Sequence, residues 1–255
     1  MIRHPLIFAL IIACGCCFHP VVGYAENDAR TQSILNAMDD LWRGESSYSI
    51  ATMRVQTKNY TRMLKLEGWS LGKDYTLFRI LEPQREQGTI TLKSADHIYT
   101  YLPKTDRTIR LSAGMMMGSW MGSHLTHDDL VKESRLVDDF DASISFEGVK
   151  LGMPVIELTL LPKKNAAVVW GKVVLQIQAE NYLPIEERYY DEDFHLARTF
   201  TFSGRKMLGG KERPSVIRIV PADAPDEFTE FEYQHLELNI PMDVGQFSYS
   251  ALRRR

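Results

Sequence analysis

Thr89-Ile90-Thr91-Leu92-Lys93-Ser94-Ala95-Asp96-His97-Ile98-Tyr99-Thr100-Tyr101-Leu102-Pro103-Lys104-Thr105-Asp106-Arg107-Thr108-Ile109-Arg110-Leu111 decides the fold. Three runs rich in β-branched and aromatic residues, 89–93, 97–102 and 107–111, are parted by Ser94-Ala95-Asp96 and by Pro103-Lys104-Thr105-Asp106. Turns this short reverse a strand, whereas a parallel pair needs a crossover of about a dozen residues or more. The stretch is therefore an antiparallel meander.

The same reading extends both ways. Upstream, Tyr48, Ile50, Thr52 and Arg54 alternate with Ser49, Ala51, Met53 and Val55. Leu64-Lys65-Leu66 leads through Gly68 to Trp69, and the Gly72-Lys73-Asp74 turn leads to a strand over 75–81. Downstream, strands are predicted over 144–149, 155–161, 173–178, 184–190, 196–203, 215–220 and 228–238. That makes about twelve strands, and a sheet so long must curl or close to bury one face. One helix precedes it. Asp28 is its candidate cap, Ile34, Leu35, Met38, Leu41 and Trp42 recur on one face, and Gly44 is its stop.

The series breaks from Ser112 to Arg135. Glycines at 114, 118 and 122 are too frequent for a stable helix, and Thr126 can cap a short one running through Asp128, Asp129 and Leu130. A long insert in a β domain is usually functional or mobile. Met115, Met116, Met117 and Met121 with Trp120 give it an adaptable apolar surface. The expectation is a flexible flap over 113–123 across the mouth of the barrel, the alternative being a plug of fixed core.

Of the 255 residues 44% are hydrophobic and 25% charged, which argues against a disordered, collagen-like or multi-span chain. Residues 1–25 read as a secretory leader: Arg3, an apolar run from Leu6 to Phe18, Pro20, then Gly23 and Ala25 at the cleavage positions. The run is too short for a membrane span, which needs about 20 residues. Cleavage after Ala25 leaves one domain, 26–255, with formal net charge moved from −3 to −4. It also removes Cys14, Cys16 and Cys17, and with them disulfides, thiolate metal sites and cysteine catalysis. A competing reading takes Ile11-Ile12-Ala13-Cys14 as a lipobox with Cys14 acylated.

Catalytic patterns are weak. Gly118-Ser119-Trp120-Met121-Gly122 lacks the spacing of a nucleophile elbow. His124, His127 and Asp128 resemble a metal cluster, but His124 precedes the N-cap of the short helix and the His-x-x-His pair has no further evident ligand nearby, so the two read as surface histidines. The acid pairs Asp39-Asp40, Asp128-Asp129 and Asp138-Asp139 are neighbours that point apart, and they read as solvated faces. No Gly-rich phosphate loop opens a helix, and the negative charge with an export leader makes nucleic acid a poor partner for the Arg253-Arg254-Arg255 tail. No metal or cofactor is expected.

The order of elements resembles the periplasmic outer-membrane lipoprotein-sorting proteins, the LolA/LolB-like carriers of Gram-negative bacteria. The resemblance runs through Glu67-Gly68-Trp69-Ser70 and Tyr75-Thr76-Leu77-Phe78-Arg79, then 94–111, then Met121 to Leu130. It continues in Tyr189-Tyr190-Asp191 with Arg198 to Phe202, similar to a late hairpin, and in Phe247-Ser248-Tyr249, similar to a closing strand. His124 and Leu125 depart from the family's Gly-Ser-Asp-Phe pattern, and Lys73 stands nearest to where the soluble carrier has a lid-holding Arg.

The resemblance implies a mainly β (α+β) fold, an open, strongly curved antiparallel half-barrel with covering helices around an apolar cavity. It implies a non-enzymatic carrier of lipoprotein acyl chains or other lipids towards the outer membrane, served by an inner-membrane transporter and an outer-membrane acceptor. Trp42, Trp69, Phe78, Tyr99 and Tyr101 are then expected to wall the cavity, Met115, Met116, Met117, Trp120 and Met121 to form its flap, and Lys73 to make the lid contact. Two alternatives are a periplasmic sensor or accessory subunit of a membrane complex on the same fold, and a hydrolase using Ser119 with His124 or His127.

Overall fold

The computed structural model describes residues 22–42, 44–95, 97–132 and 136–253. Residues 1–21, with Cys14, Cys16, Cys17 and the lipobox, lie outside the described residues.

Helix α1 (Val22–Trp42) leads into a continuous antiparallel run of β1 (Ser46–Gln56), β2 (Thr61–Leu71), β3 (Tyr75–Glu82), β4 (Ile90–Ser94), β5 (His97–Leu102) and β6 (Arg107–Arg110). An insert then carries α2 (His127–Lys132) and α3 (Leu136–Asp139). The second run comprises β7 (Phe140–Lys150), β8 (Met153–Pro162), β9 (Lys172–Gln178), β10 (Pro184–Tyr190), β11 (Leu196–Leu208), β12 (Lys211–Pro221) and β13 (Phe228–Leu238). All thirteen strands form one sheet in the order β6-β5-β4-β3-β2-β1-β13-β12-β11-β10-β9-β8-β7. The chain thus walks outward to one edge, crosses in the insert to the opposite edge at β7, and walks back until β13 pairs with β1 from Ser47–Leu238 to Gln56–Phe228. The result is the expected open, curled antiparallel sheet, and the insert is what spans its two free edges.

Strand parity sorts the core. Met53, Val55, Leu64, Leu66 and Ile80 point to the inner face, where they pack with Trp120 and Leu130 of the insert. On the same face, α1 lays Ile34, Leu35 and Met38 over Ile156, Leu158, Leu175 and Ile177 of β8 and β9. Leu77, Ile90 and Leu92 point outward and are covered by Phe247 and Leu252 of the C-terminal segment.

Three expectations are corrected. The chain is already helical at Val22, upstream of the expected Asp28 cap: Ala25, Glu26, Ala29 and Arg30 are good helix formers and nothing among them stops the turn. Strands β11 and β12 run further than the expected 203 and 215, because Gly204 and Pro214 read as breakers. Gly204 takes φ +62° without shifting the register, so the pair Ser203–Val216 is followed by Arg205–Pro214 and the hairpin closes at Gly209-Gly210. Phe247 ends one short 3-10 turn and Tyr249 begins another, with Ser248 between them, so the segment 247–249 is no closing strand. It follows Pro241, which cannot donate to a ladder, and it buries Phe247 against the outer face.

Candidate functional site

Between α1, the insert and the inner face lies a cavity of about 210 Å³. Small residues open it: β1 contributes Ser49 and Ala51, and β2 contributes Gly68, where a side chain would meet the ring of Phe78 at 3.0 Å. Aromatic rings wall it. Trp42 stacks on Tyr233 at 4.8 Å, and Trp120 lies 5.1 Å from Phe78 and 6.3 Å from Phe231, nearly parallel to the latter. Offset and tilted pairs of this kind add to the free energy of burial itself.

One charged side chain is built deep into this wall. Arg198 sits on β11 in phase with Phe200 and Phe202, so alternation turns all three to the inner face. Its guanidinium donates to both oxygens of Asp129, at 2.6 and 2.8 Å, and lies 4.5 to 5.1 Å from the rings of Trp170, Tyr189 and Phe200. Burial pushes the Asp129 carboxyl up, but the hydrogen bonds and charge of Arg198, with the Thr126 amide, hold it below the usual carboxylate range. The Tyr189 phenol is raised well above its ordinary value by burial and then by Glu187, to which it donates at 2.9 Å.

The insert is fastened at several points. Thr126 caps α2, with the Asp129 amide donating to its hydroxyl and its own amide donating to Asp129. Trp120 Nε1 donates to Thr91 Oγ1 at 3.1 Å, Tyr60 donates to the Gly122 carbonyl at 2.6 Å, and the His124 amide donates to Thr229 Oγ1 at 3.0 Å.

The expected site residues divide. Trp42, Phe78 and Trp120 line the cavity. Trp69, Tyr99 and Tyr101 do not: they pack with Leu77, Leu92 and Phe247 on the outer face, one residue out of phase with Gly68 and Ile98. Trp120, only 2% exposed, is core as much as cover, so the insert is no uniform flap. Met116 and Met121 pack against its cluster, while Met115 and Met117 are exposed. Met121 also borders a second pocket beside Arg62, Arg85 and Lys104. Lys73 lies 3.2 Å from Asp138 on α3, in an exposed pair.

Asp129, read from the sequence as part of a solvated face, is instead largely shielded from water against Arg198. Sequence reasoning does not single out Arg198, Tyr189 or Trp170 as site residues. A signal for the first exists in the alternation of Arg198 with two phenylalanines. Ser119 donates to the Ser123 carbonyl, His124 faces Thr229 and Glu227, and the His127 ring meets the Gly118 carbonyl, so these residues form no nucleophile–base pair. Among the described residues no group of three His, Cys, Asp or Glu could hold a metal, and no helix is long and apolar enough to cross a membrane.

A curled, unclosed sheet with an apolar cavity roofed by one helix and an edge-to-edge insert defines a LolA-like half-barrel. Solved structures share it. A DUF1329 family protein from Desulfovibrio piger superposes with TM-score 0.77 at 22% identity, over 89% of this chain and 99% of that one. An outer membrane lipoprotein-sorting protein domain from Vibrio parahaemolyticus gives 0.73 at 22% identity, over 90% and 100%. A LolA superfamily protein from Nitrosomonas europaea gives 0.71 at 19% identity, over 86% and 98%. A family model described as that of an uncharacterized protein matches residues 72–254. The chain belongs to that family, and its fold is that of the LolA-like half-barrels. No curated protein matches it.

Proposed function

We propose that the protein is a non-enzymatic periplasmic carrier that holds acyl chains of lipoproteins or other lipids in the inner cavity for delivery towards the outer membrane. The observation that carries this reading is the aromatic cavity beneath an insert that spans the two free edges of the sheet. Apolar walls with few, placed polar groups suit a chain-like ligand, and an edge-to-edge cover can part without breaking the strand ladder. The lipoprotein-sorting fold of its relatives supports the same role. An inner-membrane transporter and an outer-membrane acceptor are the corresponding partners, and cleavage after Ala25 would release the chain to reach both.

Native mass spectrometry of protein recovered from cells without detergent tests it. Retained lipid at one chain per protein is expected. A stoichiometric protein partner with an empty cavity would move the reading to a sensor or accessory subunit on the same fold.

A further inference from the structure

Trp120 is a wall common to two chambers. Besides the inner cavity it lines a second pocket of about 460 Å³, beside β2 to β5 and the turns at 83–89 and 103–105. The two chambers carry opposite charge. The inner cavity has four carboxylates, Asp128, Asp129, Asp139 and Glu187, against the one guanidinium of Arg198. The second pocket has three cations, Arg62, Arg85 and Lys104, against the one carboxylate of Glu86. His127 on its wall is neutral at pH 7, because burial lowers its pKa.

Glu86 takes both arginines. It accepts from Arg62 through Oε2 and from Arg85 Nε through Oε1 at 3.1 Å, while Arg62 also donates to the Met121 carbonyl. One carboxylate thus holds two guanidinium groups and can balance only one of them. Lys104 makes no hydrogen bond or ion pair among the described residues, and neither do the hydroxyls of Thr89, Thr100 and Thr105.

We propose that this second pocket binds a phosphorylated polyol, a phosphate ester carried on an alcohol of about the size of glycerol or a sugar. It is separate from the inner cavity and does not depend on the carrier reading. Charge selects the anion: the excess of cations draws it to this chamber, and the acids of the other repel it. A phosphate offers three oxygens to a guanidinium, an ammonium and hydroxyls together, where a carboxylate offers two. Size selects the alcohol. A water's share of liquid volume is about 30 Å³, so the pocket has room well beyond a bare phosphate. Threonine hydroxyls, which both donate and accept, suit its O–H groups, and Ile80, Leu102, Pro103 and Trp120 offer apolar surface to its C–H faces. The ester can come from a free polyol phosphate or from the head of a glycerophospholipid.

Calorimetric titration of the full chain with glycerol 3-phosphate at about pH 7.5, where such an ester is mostly dianionic, tests this. Saturable binding that weakens with added salt is expected, with none for glycerol. Arg85→Gln with Lys104→Gln should weaken it at least tenfold and leave the thermal midpoint unchanged, since both side chains are exposed. The indole N–H resonance of Trp120, assigned by its loss in Trp120→Phe, should shift as ester is added. Flotation with phosphatidylglycerol vesicles separates the sources. Vesicle binding that glycerol 3-phosphate competes away and the double variant loses supports a lipid head, whereas binding of the soluble ester alone supports a free polyol phosphate. Absence of saturable binding in both forms, unchanged affinity in the double variant, or glycerol binding as tightly as its phosphate overturns the proposal. Each of these results leaves the carrier reading untouched.

Discussion

Asp129 on α2 and Arg198 on β11 meet as two forks, Oδ1 with Nη2 at 2.6 Å and Oδ2 with Nη1 at 2.8 Å, across 69 residues of chain. Oδ2 also accepts the amide of Thr126 at 2.7 Å, so one carboxylate both caps the helix and ties it to the sheet. A buried ion pair is not worth much against a well-packed apolar pair of the same volume, but removing one partner strands the other's charge. The insert is therefore secured by a pair that is strongly destabilising to break from one side and far less so to replace from both.

Asp129→Ala should destabilise the protein by about 3–5 kcal/mol, because it leaves Arg198 buried and unpaired. Arg198→Met together with Asp129→Asn should cost much less than the two single changes added. Urea unfolding of the four proteins in a double-mutant cycle measures this. Additive losses would mean that the pair does not hold the insert.

The same pair sets an acid limit. The native carboxyl of Asp129 lies below its unfolded value, so its contribution is complete above the unfolded pKa and is lost as pH falls through the native one. Amide exchange in α2 should accordingly show Asp129-dependent loosening only below about pH 4. Loss of Asp129-dependent protection already at about pH 6 would contradict it.

His127 adds a separate step. Burial lowers its pKa, against the raising effect of the Gly118 and Met115 carbonyls. A histidine whose native pKa is depressed favours its neutral form in the fold. Stability is therefore full above the unfolded value and declines as pH drops below about 6.5. His127→Gln should flatten the stability slope between about pH 7 and 5 and leave the step below about pH 4 in place. An unchanged slope would assign it to another group.

The alternation of hydrophobic residues makes the meander legible, because period two survives wherever one face is wet. It is enough to place the strands around Met53, Leu66, Phe78 and Ile98. It is not enough to say which face holds the ligand. Trp69, Tyr99 and Tyr101 look like cavity walls because they are aromatic, and only the C-terminal segment folding over them shows that the outer face has its own core. Asp129 and Arg198 are far apart in sequence, and their meeting depends on an insert that crosses from β6 to β7, which no local pattern encodes. The methionines are readable as apolar, but their division between packed Met116 and Met121 and exposed Met115 and Met117 depends on the irregular path of the insert, which has no period to read.

Protein recovered from cells should begin at Glu26 and separate with the periplasmic fraction. Peptide mapping by mass spectrometry checks this. A diacylated Cys14 at the N-terminus would instead make the chain a membrane-anchored lipoprotein. With cleavage behind Ala25 no cysteine is retained, so a reducing agent should leave the thermal midpoint unchanged.

The insert itself should behave as two materials. Trp120 is buried at 2%, donates to Thr91 and packs on Phe78 and Phe231, whereas Met117 is 56% exposed. Trp120→Ala removes a large core side chain and leaves a void next to the cavity, so it should cost about 3–5 kcal/mol. Met117→Ser deletes little buried surface and should shift stability by no more than about 0.5 kcal/mol. Ligand titration on the same proteins separates cover from core. If Met117 closes over the ligand when it arrives, Met117→Ser should weaken binding of a fluorescent apolar dye several-fold at unchanged stability, since burying an apolar side chain against the ligand contributes roughly 1–2 kcal/mol. Equal stability losses in the two variants would make the whole insert fixed core, and unchanged dye affinity in Met117→Ser would remove its exposed methionine from the ligand's path.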